Sequence, residues 1–147
     1  EAGDEASVSF SLNSEPTSDV TFTFTTSNGE GTPVSSTITF TTMNWASPQE
    51  LRVHGQDDAV ADGNQPYQLL VLVSSSDASY AGRAVAPIDL TNVDNDSAGI
   101  VVSAVDVTSS EQGAGQADVT YVLTSQPTAD VVLAVVSSDT TEGIVLS

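Results

Sequence analysis

The chain of 147 residues carries 20 acidic residues against two arginines and no lysine, and its formal charge at pH 7 is −18. Such a charge repels nucleic acid and anionic membranes, so we expect neither as a partner, and it attracts cations. Cysteine is absent, which excludes disulfides and thiolate metal sites. No apolar run reaches the 18 or so residues that a membrane helix needs, so we expect no membrane insertion.

Apolar residues alternate with serine and threonine near the start of the chain, as in Val8-Ser9-Phe10-Ser11-Leu12. This period of two is typical of half-buried strands in an antiparallel sheet. Residues 28–33 are rich in glycine and predict a loop. No helical period is sustained, so the sequence predicts an all-β antiparallel sandwich. Its predicted strands cover 8–12, 20–24, 37–40, 51–53, 67–73 and 85–93.

The sequence repeats itself after about one hundred residues. Residues 125–131 (SQPTADV) match residues 14–20 (SEPTSDV) almost position for position, and their prolines are 111 residues apart (127 − 16). This spacing is close to the length of one immunoglobulin-like unit, which indicates a tandem repeat. The predicted domains are a near-complete repeat over 1–97 and the first half of a second repeat over 98–147.

Acidic residues concentrate in the stretch 55–65, which lies between two predicted strands and holds Asp57, Asp58 and Asp62. A second acidic run, Asp94-Asn95-Asp96, follows the last strand of the same repeat. We expect these two runs and an acidic residue near the start of the chain to meet at one end of the sandwich. There they would bind Ca²⁺, which takes six to eight oxygen ligands. The absence of thiols and the single imidazole disfavour zinc.

Several short motifs follow one another along the chain: Phe40, Asn44-Trp45, Pro48-Gln49, Val53, Gly55, Asp57-Asp58, Val60, Asp62-Gly63, Tyr67, Asp94-Asn95-Asp96 and Ala98-Gly99-Ile100. Their order and spacing resemble the Calx-β family, in the form repeated in large secreted or surface-anchored bacterial proteins. The resemblance implies a seven-stranded immunoglobulin-like sandwich with calcium bound at one tip. The metal ligands that it implies by position are Glu1, Asp57, Asp58, the carbonyl of Val60, Asp62, Asp94 and Asp96. Glu30 is the nearest counterpart of a further acidic ligand.

Other interpretations of these residues stay open. Asn95 interrupts the final aspartate run and Gln65 stands where the domains of the resembled family have a glutamate, so we expect fewer ions or weaker binding than in those domains. The acidic stretch also suits a solvated turn, because Asp and Gly favour tight backbone geometry. Trp45 is interpreted as a core anchor rather than a sugar platform, and His54 as structural. No catalytic constellation accompanies them, so we expect no enzyme activity.

We therefore expect a calcium-binding spacer repeat of a large extracellular bacterial surface or adhesion protein, with neighbouring repeats as its partners. The alternatives are a carbohydrate-binding accessory module of a secreted enzyme and a calcium-sensing regulatory domain. A half-sandwich leaves apolar side chains without a second sheet, so we also expect this chain to swap strands or pair edges with a second molecule. The side chains concerned are Val119, Tyr121, Leu123, Val131 and Leu133.

Overall fold

The structure is a computed structural model that describes residues 5–104 and 117–146. The chain divides into two compact units. Unit 1 comprises Glu1–Asp58 and Asp62–Asn95, and unit 2 comprises Ala59–Ala61 and Asp96–Ser147. Within the described residues every strand pairing is antiparallel and no helix occurs, which confirms the predicted all-β class.

The described part of unit 1 forms two antiparallel sheets. One sheet has the strand order β1-β5-β3, and the other has the order β4-β2-β6-β7. The strands are β1 (Glu5–Phe10), β2 (Val20–Thr26), β3 (Gly31–Pro33), β4 (Thr37–Phe40), β5 (Gln49–Gly55), β6 (Gln65–Ser75) and β7 (Ile88–Asn92).

The core of unit 1 is built from the inward side chains of both sheets, as in a sandwich. In β2, Val20, Phe22 and Phe24 are buried while the threonines between them are partly exposed. Leu51 and Val53 of β5 supply the facing sheet and are 1% and 0% exposed. Fully burying one such side chain stabilises the fold by about 1.5–3 kcal/mol. Trp45 is half-buried and packs against this core, as predicted for an anchor.

Strand β3 corrects the sequence prediction, which assigned residues 28–33 to a loop. Gly31 pairs with Gly55 and Pro33 pairs with Val53, so the end of that stretch is a short strand on the edge of β5. Glycine and proline are poor strand formers, and proline is tolerated at a sheet edge because it needs no outward donor. The partner strand imposes the extended conformation here, and local propensity does not.

The turn that follows β6 is held by two side chains, and we call it the closed end of unit 1. The carboxylate of Asp77 accepts hydrogen bonds from the backbone N–H groups of Thr17 and Ser79, both at 2.7 Å. These two donors lower the pKa of Asp77, which is 6% exposed. The hydroxyl of Tyr80 donates to the carbonyl of Ser14 at 2.6 Å. The closed end is therefore fixed by polar groups that satisfy backbone partners.

Unit 2 contains one antiparallel strand pair among its described residues. Strand β8 (Ile100–Ala104) pairs with β9 (Val119–Leu123), from Ile100 opposite Leu123 to Ala104 opposite Val119. Apolar side chains on both strands are half-exposed, including Val101 at 51% and Tyr121 at 39%. The segment 131–137 occupies the position in the second repeat that β2 occupies in the first, and it forms no strand.

Candidate functional site

The predicted calcium-binding stretch forms a loop of residues 56–64 between β5 and β6, and we call it the acidic loop. The sheets fix both of its ends, because Gly55 pairs with Gly31 and Gln65 pairs with Asn92. Gly63 has a φ of 81°, a backbone conformation that side chains other than glycine rarely adopt. The loop thus turns back into β6 at a position that needs glycine.

A buried asparagine at the end of β7 connects the acidic loop to the turn before β3. The amide of Asn92, which is 3% exposed, donates to the carboxylate of Glu30 at 3.2 Å and to the carbonyl of Gln56 at 2.7 Å. The N–H of Gln56 in turn donates to the carbonyl of Glu30 at 3.0 Å. A buried amide is retained where it finds such partners, so Asn92 joins three segments of unit 1.

The segment after β7 is tied to the same loop by its own side chains and backbone. The N–H of Gly63 donates to the carboxylate of Asp94 at 2.6 Å, and the N–H of Asp94 donates to the side chain of Asn64 at 3.0 Å. The amide of Asn95 donates to the carboxylate of Asp57 at 3.4 Å. Acidic residues from three separate segments therefore lie at one end of unit 1, which we call the acidic end.

Positive charge is placed elsewhere in unit 1. Arg52 pairs with Glu5 at 3.1 Å, and this carboxylate raises the pKa of Arg52. Arg83 follows the closed end and donates to the carbonyl of Ser79 at 2.8 Å. The acidic loop and the closed end lie at opposite ends of β6, an 11-residue strand that spans about 33 Å. The acidic end thus gathers carboxylates with neither arginine of the chain bound to them.

The predicted ligands are distributed unequally between the two units. Unit 1 holds Glu30, Asp57, Asp58, Asp62 and Asp94, all on the three segments that meet at the acidic end. Val60 and Asp96 belong to unit 2, and Glu1 lies outside the described residues.

The donor chemistry of the acidic end suits a hard divalent cation, because its side chains offer oxygen ligands. Within residues 5–104 and 117–146, however, no three acidic or histidine side chains come close enough to hold a metal ion together. The carboxylates of Glu30, Asp57 and Asp94 accept hydrogen bonds from amide groups instead. These hydrogen bonds join the three segments.

Sequence reasoning missed the side chains that connect these segments, of which Asn92 is the most important. A signal was present, because alternation along Ile88-Asp89-Leu90-Thr91-Asn92 places residues 88, 90 and 92 on one face. Ile88 and Leu90 are apolar and half-buried, so the amide of Asn92 on the same face is expected to be buried and to need a polar partner.

Comparisons of this chain with protein-family models, with curated proteins and with solved structures found no match. No helix in the described part of the chain is long and apolar enough to cross a membrane.

Proposed function

We propose that this chain is a calcium-binding spacer repeat of the Calx-β type, from a large extracellular bacterial surface or adhesion protein. The observation that carries the proposal is the meeting of three acidic segments at one end of unit 1. The carbonyl and carboxylate of Glu30, the carboxylate of Asp57 and both the carboxylate and N–H of Asp94 are hydrogen-bonded there. The order of motifs in the sequence and the 111-residue repeat (127 − 16) support the same proposal.

Calcium would be held by carboxylate oxygens of the acidic loop, of Asp94 and of Glu30. Two carboxylates about 4 Å apart repel each other by roughly 1–4 kcal/mol, depending on the local dielectric, so gathering them needs a counterion. A bound divalent cation supplies that charge. We expect a dissociation constant on the order of 10⁻⁴ to 10⁻³ M, the range of extracellular modules.

The spacer role follows from where the acidic end lies along the chain. Asp94 is one residue from the last residue of unit 1, and unit 2 resumes at Asp96. An ion held by Asp94 would fix the last residues of one repeat to its acidic loop. In a tandem array, every junction between repeats would then have its final strand held in the same way.

Calorimetric titration with CaCl₂ and thermal unfolding with and without EDTA test the proposal. Calcium at one hundred times its dissociation constant should stabilise unit 1 by about 2.7 kcal/mol, since it binds only the folded state. Magnesium at the same concentration should do less, because it demands a tighter octahedral geometry. An unfolding temperature that is unchanged by EDTA would overturn the proposal.

Matched charge-neutralising variants locate the effect. Asp62→Asn and Asp94→Asn each remove one carboxylate of the acidic end and should remove most of the calcium stabilisation. Asp89→Asn removes the same charge from an exposed side chain of the edge strand β7, where Asp89 accepts a hydrogen bond from Gln68 at 2.8 Å. This control should keep the full calcium response. Equal losses in all three variants would indicate general charge screening instead of a site.

A further inference from the structure

The outer edge of β1 has no partner strand in the described part of the chain. In the sheet order β1-β5-β3, strand β1 is at the edge, and among the described residues only β5 pairs with it. Val8 and Phe10 point to the core but are only partly buried. The ring of Phe10 lies 5.7 Å from that of Phe22 and 5.3 Å from that of Phe24. The core is therefore covered incompletely along this edge.

The internal repeat supplies a template for what fits there. Shifted by the 111 residues that separate the two prolines (127 − 16), strand β9 corresponds to residues 8–12. In unit 2 the partner of β9 is β8, with Val102 opposite Tyr121 and Ser103 opposite Thr120. Transferred to unit 1, this register places Val102 opposite Phe10 and Ser103 opposite Ser9.

Hydrogen-bond directions show that the outer edge of β1 corresponds to the edge of β9 that pairs with β8. The N–H of Leu12 donates to the carbonyl of Trp45, just before β5, at 3.0 Å. The N–H of Thr124, which corresponds to Asn13, donates at 3.0 Å to the carbonyl of Gly99, just before β8. Neighbouring residues of a strand direct their backbone groups to opposite edges. The backbone groups of Ser7, Ser9 and Ser11 are therefore directed to the outer edge of β1. The corresponding groups of β9 are directed to β8.

We propose that the outer edge of β1 binds β8 of a second copy of this chain, added as an antiparallel strand in this register. In this register β8 would use the edge that now faces β9, so the new pairing would replace the pairing of β8 with β9. A two-stranded sheet is marginally stable in water, whereas β1 offers a three-stranded sheet over a packed core. On that edge Ile100 and Val102, now 47% and 51% exposed, would cover the core beside Leu12 and Phe10.

Charge favours the same occupant. The chain carries a net charge of −18, so most of its segments repel a second copy. Strand β8 has no charged residue, and the one acidic residue of β1, Glu5, is paired with Arg52 at 3.1 Å. Pairing of β8 with β1 thus brings no like charges into direct opposition. The proposal is independent of the calcium site.

Cysteine cross-linking in the full chain tests the register, since the chain has no native cysteine. A Ser103→Cys variant is mixed with Ser7→Cys, Ser9→Cys or Ser11→Cys, all exposed side chains on one face of the strand. A disulfide needs Cα atoms about 4.4–6.8 Å apart, so the Ser9 partner should cross-link about tenfold faster than the two diagonal ones. Equal rates for the three mixtures would overturn the proposal.

Two lysine variants of β8 provide a matched control in sedimentation experiments. Val101 and Val102 are both 51% exposed, but only Val102 would face the core beside Phe10. Val102→Lys should weaken the dimer by at least about 100-fold, because it buries an unpaired charge. Val101→Lys should leave the dimer intact. A parent chain that stays monomeric at millimolar concentration, or equal effects of the two lysines, would refute the pairing.

Discussion

The two ends of unit 1 use aspartate in opposite ways. At the closed end, both carboxylate oxygens of Asp77 accept backbone N–H groups, and its negative charge is stabilised by them. At the acidic end, several carboxylates lie on three joined segments and neither arginine is bound to them. Because calcium is proposed to bind at the acidic end and not at the closed end, the two ends should respond differently to mutation, calcium and pH.

Gly31→Ala should break the acidic end most severely. A Cβ at Gly31 would overlap the ring of Tyr67 and lie 2.7 Å from its hydroxyl oxygen, and Tyr67 is 4% exposed and held in the core. Overpacking of this kind costs typically 1–3 kcal/mol, and the rigid ring places the expected loss at about 3 kcal/mol. Chemical unfolding of Gly31→Ala and of the parent protein measures this loss of unfolding free energy.

Gly29→Ala is the matched control in the same turn. A Cβ at Gly29 meets nothing within 4 Å, and its φ is not in the left-handed region. Its unfolding free energy should match that of the parent protein within about 0.5 kcal/mol, as for most surface substitutions. Similar losses of unfolding free energy in Gly29→Ala and Gly31→Ala would show that the destabilisation comes from the turn and not from the ring of Tyr67.

Asn92→Asp should make the acidic end depend on calcium. The substitution keeps the shape of the side chain but puts a carboxylate in place of the amide donor that lies 3.2 Å from the carboxylate of Glu30. Without calcium the variant should lose about 2 kcal/mol of stability, because a buried donor is lost and like charges meet. With calcium part of that loss should be recovered, since the new carboxylate lies beside the proposed ligands.

Tyr80→Phe is the counterpart of this variant at the closed end. It removes a hydroxyl that donates to the carbonyl of Ser14 at 2.6 Å, and should cost about 1 kcal/mol. Its loss should be the same in calcium and in EDTA. Recovery of Tyr80→Phe by calcium, or none for Asn92→Asp, would contradict the division of roles between the ends.

The fold was predictable where a pattern and its partner strands are both present. Strand β2 was predicted from its alternation, and it pairs with β4 and β6. Residues 131–137 repeat the same position of the sequence but form no strand in unit 2. Those residues (VVLAVVS) lack the apolar–polar alternation of β2 and pair with no strand among the described residues, so an equivalent position in the repeat does not by itself make a strand. Strand β3 is the reverse case, because pairing with β5 creates a strand that composition argues against.

The candidate site was predictable in its acidic residues and not in its connections. Asp57, Asp58, Asp62 and Asp94 were visible as charge runs. The bridge from Asn92 to Glu30 spans 62 positions of the sequence, and no local pattern encodes it. Nor does any local pattern show that Asp77, one acidic residue among many, accepts the backbone N–H groups of both Thr17 and Ser79.

The smallest expected effect is the loss of the stability that Asp77 contributes at the closed end when the pH is lowered. Its backbone donors hold its pKa in the folded state below the value of about 3.9 that an aspartate has when unfolded. A lowered pKa contributes stability that is complete above the unfolded value and is lost as pH falls through the folded one. Asp77→Asn does not titrate, so the stability gap between it and the parent should be constant from pH 7 to about 5 and shrink below about pH 4. Thermal unfolding across this range in EDTA measures the gap, and adding calcium should leave it unchanged because Asp77 lies about 33 Å along β6 from the acidic loop. A gap that widens in acid would mean that the protonated carboxyl is the form that the closed end stabilises.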